Sequence, residues 1–315
     1  MDQSASVFGE KGSALYISFK PSLHASLLSF PSTGNTEITF LVAQSFVAAD
    51  KQVTAPVCYN LRVVECSIAA CFLTKIFGLK RPLPEDKAPL GVSLRGFHDA
   101  FFEEKEGVED NTAVDELVFE EQLETLIHLV TEYLHQEDGY TREQICDILG
   151  LSVEELQRRF ESKFQVRADK FKLRQRALHV FSEALRVLRF RELLVNPPND
   201  GAGEQLLKEL GSLMNDTQDS CRELYECSCP ELDEICKIAR SAGAYGSRLT
   251  GAGWGGCSVH LVPKDRVEAV TKALKEKYYK KKFPDITEER FQDAVVVSKP
   301  GAGSFVLKVM GEKMV

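Results

Sequence analysis

The segment Arg248-Leu-Thr-Gly-Ala-Gly-Trp-Gly-Gly-Cys257 holds four glycines, Gly251, Gly253, Gly255 and Gly256, within six positions. Lacking a Cβ, glycines let backbone N–H groups approach an anion closely, so the segment could face a phosphate or another substrate. It could equally be a tight connection between two strands. The spacing Gly251-x-Gly253-x-x-Gly256 fits a dinucleotide fingerprint, but Ser258-Val-His-Leu-Val262 follows it and reads as a strand. No helix N-terminus would then face a pyrophosphate. A protein-kinase glycine loop does lie between strands, yet the chain has no Val-Ala-Ile-Lys, His-Arg-Asp or Asp-Phe-Gly segment. A Walker A loop needs Gly-Lys-Ser/Thr, which this sequence lacks. If the loop binds a ligand, it does so in a fold outside those three.

Other reactive side chains are less suggestive. Cys221, Cys227, Cys229 and Cys236 are spaced C-x5-C-x-C-x6-C, without the paired C-x2-C knuckles of structural zinc sites, and read as small buried hydrophobes. The total of nine cysteines, with no small-domain framework, suggests free thiols in a reducing compartment. His179 and His260 sit among apolar residues, and no His/Asp/Ser constellation accompanies them. Arg174, Arg176, Arg186, Arg189 and Arg191 read as the solvated face of a helix.

Apolar and β-branched runs predict strands over 14–19, 26–30 and 37–45. Leu61, Val64, Ile68, Cys71 and Phe72 recur at helical spacing and predict a helix over 57–77, with Gly78 as its C′ residue. Pro82, Pro84, Pro89 and the acidic run at 103–106 make 79–112 a linker or irregular excursion. Helical patterns follow, with N-caps at Thr141 and Ser152, the latter in a capping box. A long helix over 171–194 places Ala177, Phe181, Ala184 and Leu188 on one face and ends at Pro197-Pro198. Further helices are expected over 204–225, 231–241 and 265–278. Strands over 247–249 and 257–262 flank the glycine loop, and 294–298 and 304–309 form a closing pair.

At 315 residues, the chain is long enough for one large or two modest domains. Its 43% hydrophobic and 27% charged residues are ordinary for a soluble globular protein. The net charge of −8 argues against nonspecific nucleic-acid binding. No segment reads as a membrane span or signal peptide, and a cytoplasmic location is expected.

The glycine loop resembles the third signature motif of GHMP kinases, in the form found in galactokinases. Four further segments agree in order. Met1-Asp-Gln3 resembles the Gly-Met-Asp-Gln that carries the family's catalytic aspartate. Thr54-Ala-Pro-Val-Cys-Tyr-Asn-Leu-Arg-Val-Val-Glu65 is similar to a sugar-proximal segment of the fungal type. Leu173-Arg-Gln-Arg-Ala-Leu-His-Val-Phe-Ser-Glu183 and Leu224-Tyr-Glu-Cys-Ser-Cys-Pro-Glu-Leu-Asp233 resemble two more. The likeness runs from residue 1 to about 308.

The resemblance implies an α+β GHMP kinase fold. Residues 1–78 would be a remnant of the N-terminal domain, and 113–315 a ferredoxin-like C-terminal domain with helical insertions. The implied activity is ATP-dependent phosphorylation of galactose at its C1 hydroxyl, with Mg2+ as the companion of ATP. Asp2 would be the catalytic carboxylate, Asp50 and Lys51 the nucleotide contacts, and Tyr59 the sugar contact. A phenylalanine at the place of Tyr59 is typical of N-acetylgalactosamine kinases, so Tyr59 favours galactose.

Two motifs of complete galactokinases do not occur in this sequence: the Gly-Arg-Val-Asn-x-Ile-Gly-Glu-His segment and the Gly-Leu-Ser-Ser-Ser-Ser/Ala phosphate loop. The expectation is an N-terminally truncated form, with magnesium-site residues in the missing half, negligible kinase activity alone, and unpaired edges on the strands at 14–46. An alternative is a galactokinase-like sensor that binds galactose and ATP and engages a transcriptional repressor. A second alternative is an inactive remnant.

Overall fold

The structure, a computed structural model, describes residues 2–31, 37–48, 51–198 and 203–304. The chain opens with α1 (Asp2–Phe8) and a hairpin of β1 (Ser13–Ser18) and β2 (His24–Ser29). It continues through β3 (Ile38–Gln44), the short α2 (Lys51–Thr54) and α3 (Tyr59–Ile76). A helical stretch follows: α4 (Leu94–Lys105), α5 (Glu116–Tyr133), α6 (Arg142–Leu149), α7 (Val153–Leu156) and α8 (Leu173–Val195). Then come α9 (Gly203–Glu223), α10 (Pro230–Ser241), β4 (Gly246–Leu249), β5 (Cys257–Pro263), α11 (Val267–Leu274), α12 (Lys280–Lys282), α13 (Glu288–Ala294) and β6 (Val295–Ser298).

Local chemistry accounts for many of these boundaries. Thr141 and Ser152 each accept from the third helical N–H while Gln144 and Glu155 reach back, so both helices open with capping boxes. Gly78 takes a left-handed φ of 60° just past α3. Within the stretch read as irregular, 79–112, the structure has α4 instead. Ser93 caps it, and Leu94, Phe97, Phe101 and Phe102 make its buried face. The prolines lie upstream of this helix and the acidic run belongs to its last turn, so neither interrupts it.

Two cores result. One joins α3, α4, α5, α6 and α8 around Ile68, Phe72, Phe97, Leu126, Phe171 and Phe181. The other lies against an antiparallel sheet ordered β4-β5-β3-β6. Leu41 and Ala43 of β3, with Val262 of β5, face Ile235 and Ala239 of α10 and Val270 and Leu274 of α11. Phe40, Val259 and Leu261 point the other way, toward Leu206, Leu210 and Met214 of α9 and toward Leu28 of the hairpin. β3 thus has β5 on one edge and β6 on the other. The expectation of unpaired edges fails for 37–45, because the partners come from far along the chain. β6 pairs with β3; residues 305–309, expected to pair with it, lie outside the described residues. The helix predicted over 265–278 continues from α11 through a π turn, Lys275–Tyr279, into α12. Tyr278 and Tyr279 are both fully buried, and their hydroxyls donate to the carbonyls of Ser45 and Gln44.

Candidate active site

The glycine loop connects β4 to β5, as a strand–loop–strand reading requires, and its glycines do two different jobs. Gly253 (φ 85°) and Gly255 (φ 136°) are pressed against backbone. A Cβ would stand 2.0 Å from the carbonyl oxygen of Cys227 at the first and 2.5 Å from that of Val47 at the second. At Gly251 (φ 76°) and Gly256 (φ 77°) a Cβ would meet open space, so there only the left-handed backbone asks for glycine. The loop is held at both ends. Gly256 donates to the Val47 carbonyl at 3.0 Å, and its own carbonyl accepts from the Ser45 amide and hydroxyl, each at 2.8 Å. Trp254, itself at φ 55°, donates its amide to the Cys227 carbonyl at 2.6 Å and its indole N–H to the Glu226 carbonyl at 3.0 Å.

The turn carrying those two acceptors is clamped by arginines. Arg176 of α8 donates to the Leu224 carbonyl, and Arg62 of α3 donates to the carbonyls of Tyr225 and Glu226. Both guanidiniums also pair with Glu65, Arg176 at 2.6 Å and Arg62 at 3.1 Å, and Glu226 closes the network onto Arg176 and Lys172. Arg176 and Glu65 are each 1% exposed. Arg176 therefore does not belong to a solvated face; its position flanks the apolar stripe of α8 and turns it inward. Each of these buried charges has a partner, which is the condition for tolerating them.

Above this network lies a cleft of about 310 Å³. Tyr59, Arg62, Glu183, Arg248, Gly251 and Trp254 line it, with His179, Cys221 and Cys227 deeper in its wall. Tyr59 stands at the first turn of α3 and is 55% exposed. Arg248 reaches Glu183 at 3.2 Å. Burial pushes the Glu183 carboxyl up, but Arg248 and Arg186 outweigh it and hold it below the usual carboxylate range. His179 bonds Ser220 at 2.9 Å and stacks on Tyr225; burial lowers its pKa to about 4, so it is neutral at pH 7. His260 lies between Ser247 and Ser258, and burial lowers it to about 3. The pairing of β4 with β5 puts His260 opposite Ser247, which makes this a structural Ser-His-Ser bridge in the sheet.

The cleft brings Tyr59 to Gly251, as the sequence order alone could not. Gly253, Gly255 and Gly256 brace the loop behind it. The backbone of Asp2 begins α1 and that of Lys51 begins α2, while their side chains and all of Asp50 lie outside the described residues. The loop's anchor on Ser45 and Val47 sits a few residues before Asp50 and Lys51 in the chain. Glu183, Arg248, His179 and the arginine clamp were not picked out from the sequence as site residues. The available signals were the shared segments themselves: Leu173–Glu183 carries Arg176, His179 and Glu183, Thr54–Glu65 carries Arg62 and Glu65, and Arg248 heads the glycine segment. Among the described residues, no group of three or more His, Cys, Asp or Glu side chains could hold a metal ion, and no helix is long and apolar enough to cross a membrane.

The cleft's charges are internally paired: Arg62 with Glu65 and Glu226, and Arg248 with Glu183. The rings of Tyr59, Tyr225 and Trp254 and several hydrogen-bonding groups remain as its walls. Such a surface suits a neutral, hydroxyl-rich ligand better than a highly charged one.

This arrangement of sheet, helices and glycine loop is that of a known class. The family model described as GHMP kinases C terminal matches residues 200–280. The fold is also that of galactokinase from Lactococcus lactis, solved in complex with galactose. The TM-score is 0.54 at 20% identity, over 95% of this chain and 54% of that one. Over nearly its whole length the chain is homologous to galactokinases. It is 42% identical over 309 residues to galactokinase of Saccharomyces cerevisiae, covering 96% of this chain and 58% of that relative. It is 43% identical over 311 residues to that of Candida parapsilosis, covering 98% and 59%. For Schizosaccharomyces pombe the figures are 40% over 314 residues, 98% and 60%. The chain thus spans somewhat under two thirds of the length of the relatives it matches.

Proposed function

We propose that the chain serves ATP-dependent phosphorylation of galactose at the C1 hydroxyl. The observation that carries this reading is the meeting of Tyr59 and the glycine loop on one charge-balanced cleft, in a chain homologous to galactokinases. Galactose is a neutral polyol and matches a wall of aromatic rings and paired charges. In this reading Tyr59 contacts the sugar, and Asp50 and Lys51 contact the nucleotide. Asp2 takes or orients the proton of the attacking C1 hydroxyl, a role that suits a carboxylate. The remaining work of phosphoryl transfer is positioning, which the glycine loop and its arginine-clamped turn provide. A magnesium ion travelling with ATP needs only one or two protein carboxylates. The described residues of this chain offer no assembled metal centre, and no step above is assigned to one.

The test joins this chain to the N-terminal portion of the Saccharomyces cerevisiae galactokinase that it does not span. Galactose-dependent release of ADP from ATP is expected. Asp2→Asn in that fusion should lower kcat by on the order of 10²–10⁴-fold, and Tyr59→Ala should raise the KM for galactose while leaving that for ATP unchanged. A folded fusion that consumes no ATP when galactose is added sinks the proposal.

A further inference from the structure

We propose that Cys221 and Cys227 form an oxidisable dithiol in the wall of the cleft, which hydrogen peroxide converts to a disulfide. Cys221 ends the buried face of α9, and the chain turns back over 222–226 so that the Cys227 amide donates to the Cys221 carbonyl at 2.8 Å. Both residues belong to one small buried cluster with Leu232 and Leu249, and both line the cleft. A small oxidant entering the cleft reaches both residues, whose backbones are already bonded to each other. The other cysteines differ. Burial pushes Cys66 and Cys236 up to about 12, and Cys229 and Cys257 are also raised by burial. The neighbouring Cys227 thiol instead holds Cys221 below the usual thiol range, while Cys227 is pushed up. Cys221 is therefore the attacking thiolate and Cys227 the resolving thiol.

The chemistry balances with the peroxide as sole oxidant. The Cys221 sulfur attacks one peroxide oxygen, the O–O bond breaks, and the departing hydroxide takes a proton to leave as water. The resulting sulfenic acid is attacked by the Cys227 sulfur: the S–S bond forms, the S–O bond breaks, and a second water carries away the Cys227 proton. Two thiols supply two electrons, and the peroxide accepts both.

A disulfide draws the sulfurs to about 2.05 Å, closer than any hydrogen-bonded pair. Cys227 must shift, and the glycine loop is fastened to it. The Cys227 carbonyl accepts from the Trp254 amide and abuts Gly253, and the neighbouring Glu226 carbonyl accepts the indole N–H. Trp254 is the chain's one tryptophan, so its fluorescence reports on this turn alone. Neither galactose nor ATP enters the inference, so it stands or falls apart from the catalytic reading.

The experiment treats the full chain with hydrogen peroxide, alkylates it, digests it with trypsin and maps the fragments. The expected product joins fragments 209–222 and 223–237 through Cys221 and Cys227, with titratable thiols falling from nine to seven and returning with dithiothreitol. Trp254 emission should shift on oxidation and recover on reduction. In Cys227→Ser, dimedone should label Cys221 and the emission shift should vanish. Fragments that stay separately alkylated, a cross-link to another cysteine, or an unchanged emission shift in Cys221→Ser would each overturn the proposal. The mapping needs no variant, so misfolding of a substituted chain cannot hide the answer.

Discussion

Helix α8 makes ion pairs at both ends. Near its start, Arg176 is 1% exposed and lies between Glu65 and Glu226. Near its end, Arg189 is 45% exposed and reaches Glu120 and Glu124 of α5 over open surface. Residue type and helix are the same, yet the consequences diverge. Water already solvates the surface charges, so their pairing contributes little. The buried charges have left water behind, and removing either partner strands the other. The buried set also joins the helix that carries Tyr59 to the turn that holds the glycine loop. The surface set only ties α8 to α5.

The sharpest way to break this comparison is Arg176→Met. It should cost about 3–5 kcal/mol in urea unfolding and move Trp254 emission, since the Leu224–Cys227 turn loses a clamp. A loss no larger than that of a surface variant would mean the network is not what secures the turn. Next come the loop glycines. Gly253→Ala should cost about 2–4 kcal/mol, from a left-handed backbone plus a collision with Cys227. Gly251→Ala faces open space and should cost only about 1–2 kcal/mol. Equal costs at the two positions would show that backbone strain, not close packing, governs the loop.

Acid probes burial across the whole molecule. His98 and His179 are lowered to about 4 and His260 to about 3, each chiefly by burial, from an ordinary 6.5. Between those values and 6.5 the unfolded chain binds protons that the folded one refuses. Their contribution is therefore complete above pH 6.5 and is lost as pH falls toward 4. Each histidine adds about 1.4 kcal/mol per pH unit to the slope. Urea midpoints measured from pH 7 to 4 should show this decline, and His260→Asn should flatten it by one proton. The smallest effect is expected from Arg189→Ala: at most about 1 kcal/mol, fading as salt is added. A larger, salt-insensitive loss would erase the distinction between the two ends of α8.

Much of the secondary structure was legible because its causes are local. The capping boxes at Thr141 and Ser152 close within three residues, and Gly78 ends α3 through its own backbone freedom. The strand–loop–strand setting of the glycines was readable from the residues on either side. α4 was missed because nearby prolines and acids outweighed a correct apolar spacing at Leu94, Phe97 and Phe101. Arg176 was misjudged because a charged side chain reads as exposed until its partner is known, and Glu65 lies 111 residues away.

The sequence by itself determined most of the segments that become helix or strand, the likeness to galactokinases, and the glycine-rich character of its loop. These rest on periodicity, caps and ordered motifs, all carried by neighbours along the chain. Only the tertiary structure decided that β3 lies between β5 and β6, that Arg176 is buried, and that Tyr59 shares a cleft with Gly251 and the Cys221–Cys227 pair. Those facts depend on which distant segments meet, and no local signal encodes a partner two hundred residues away.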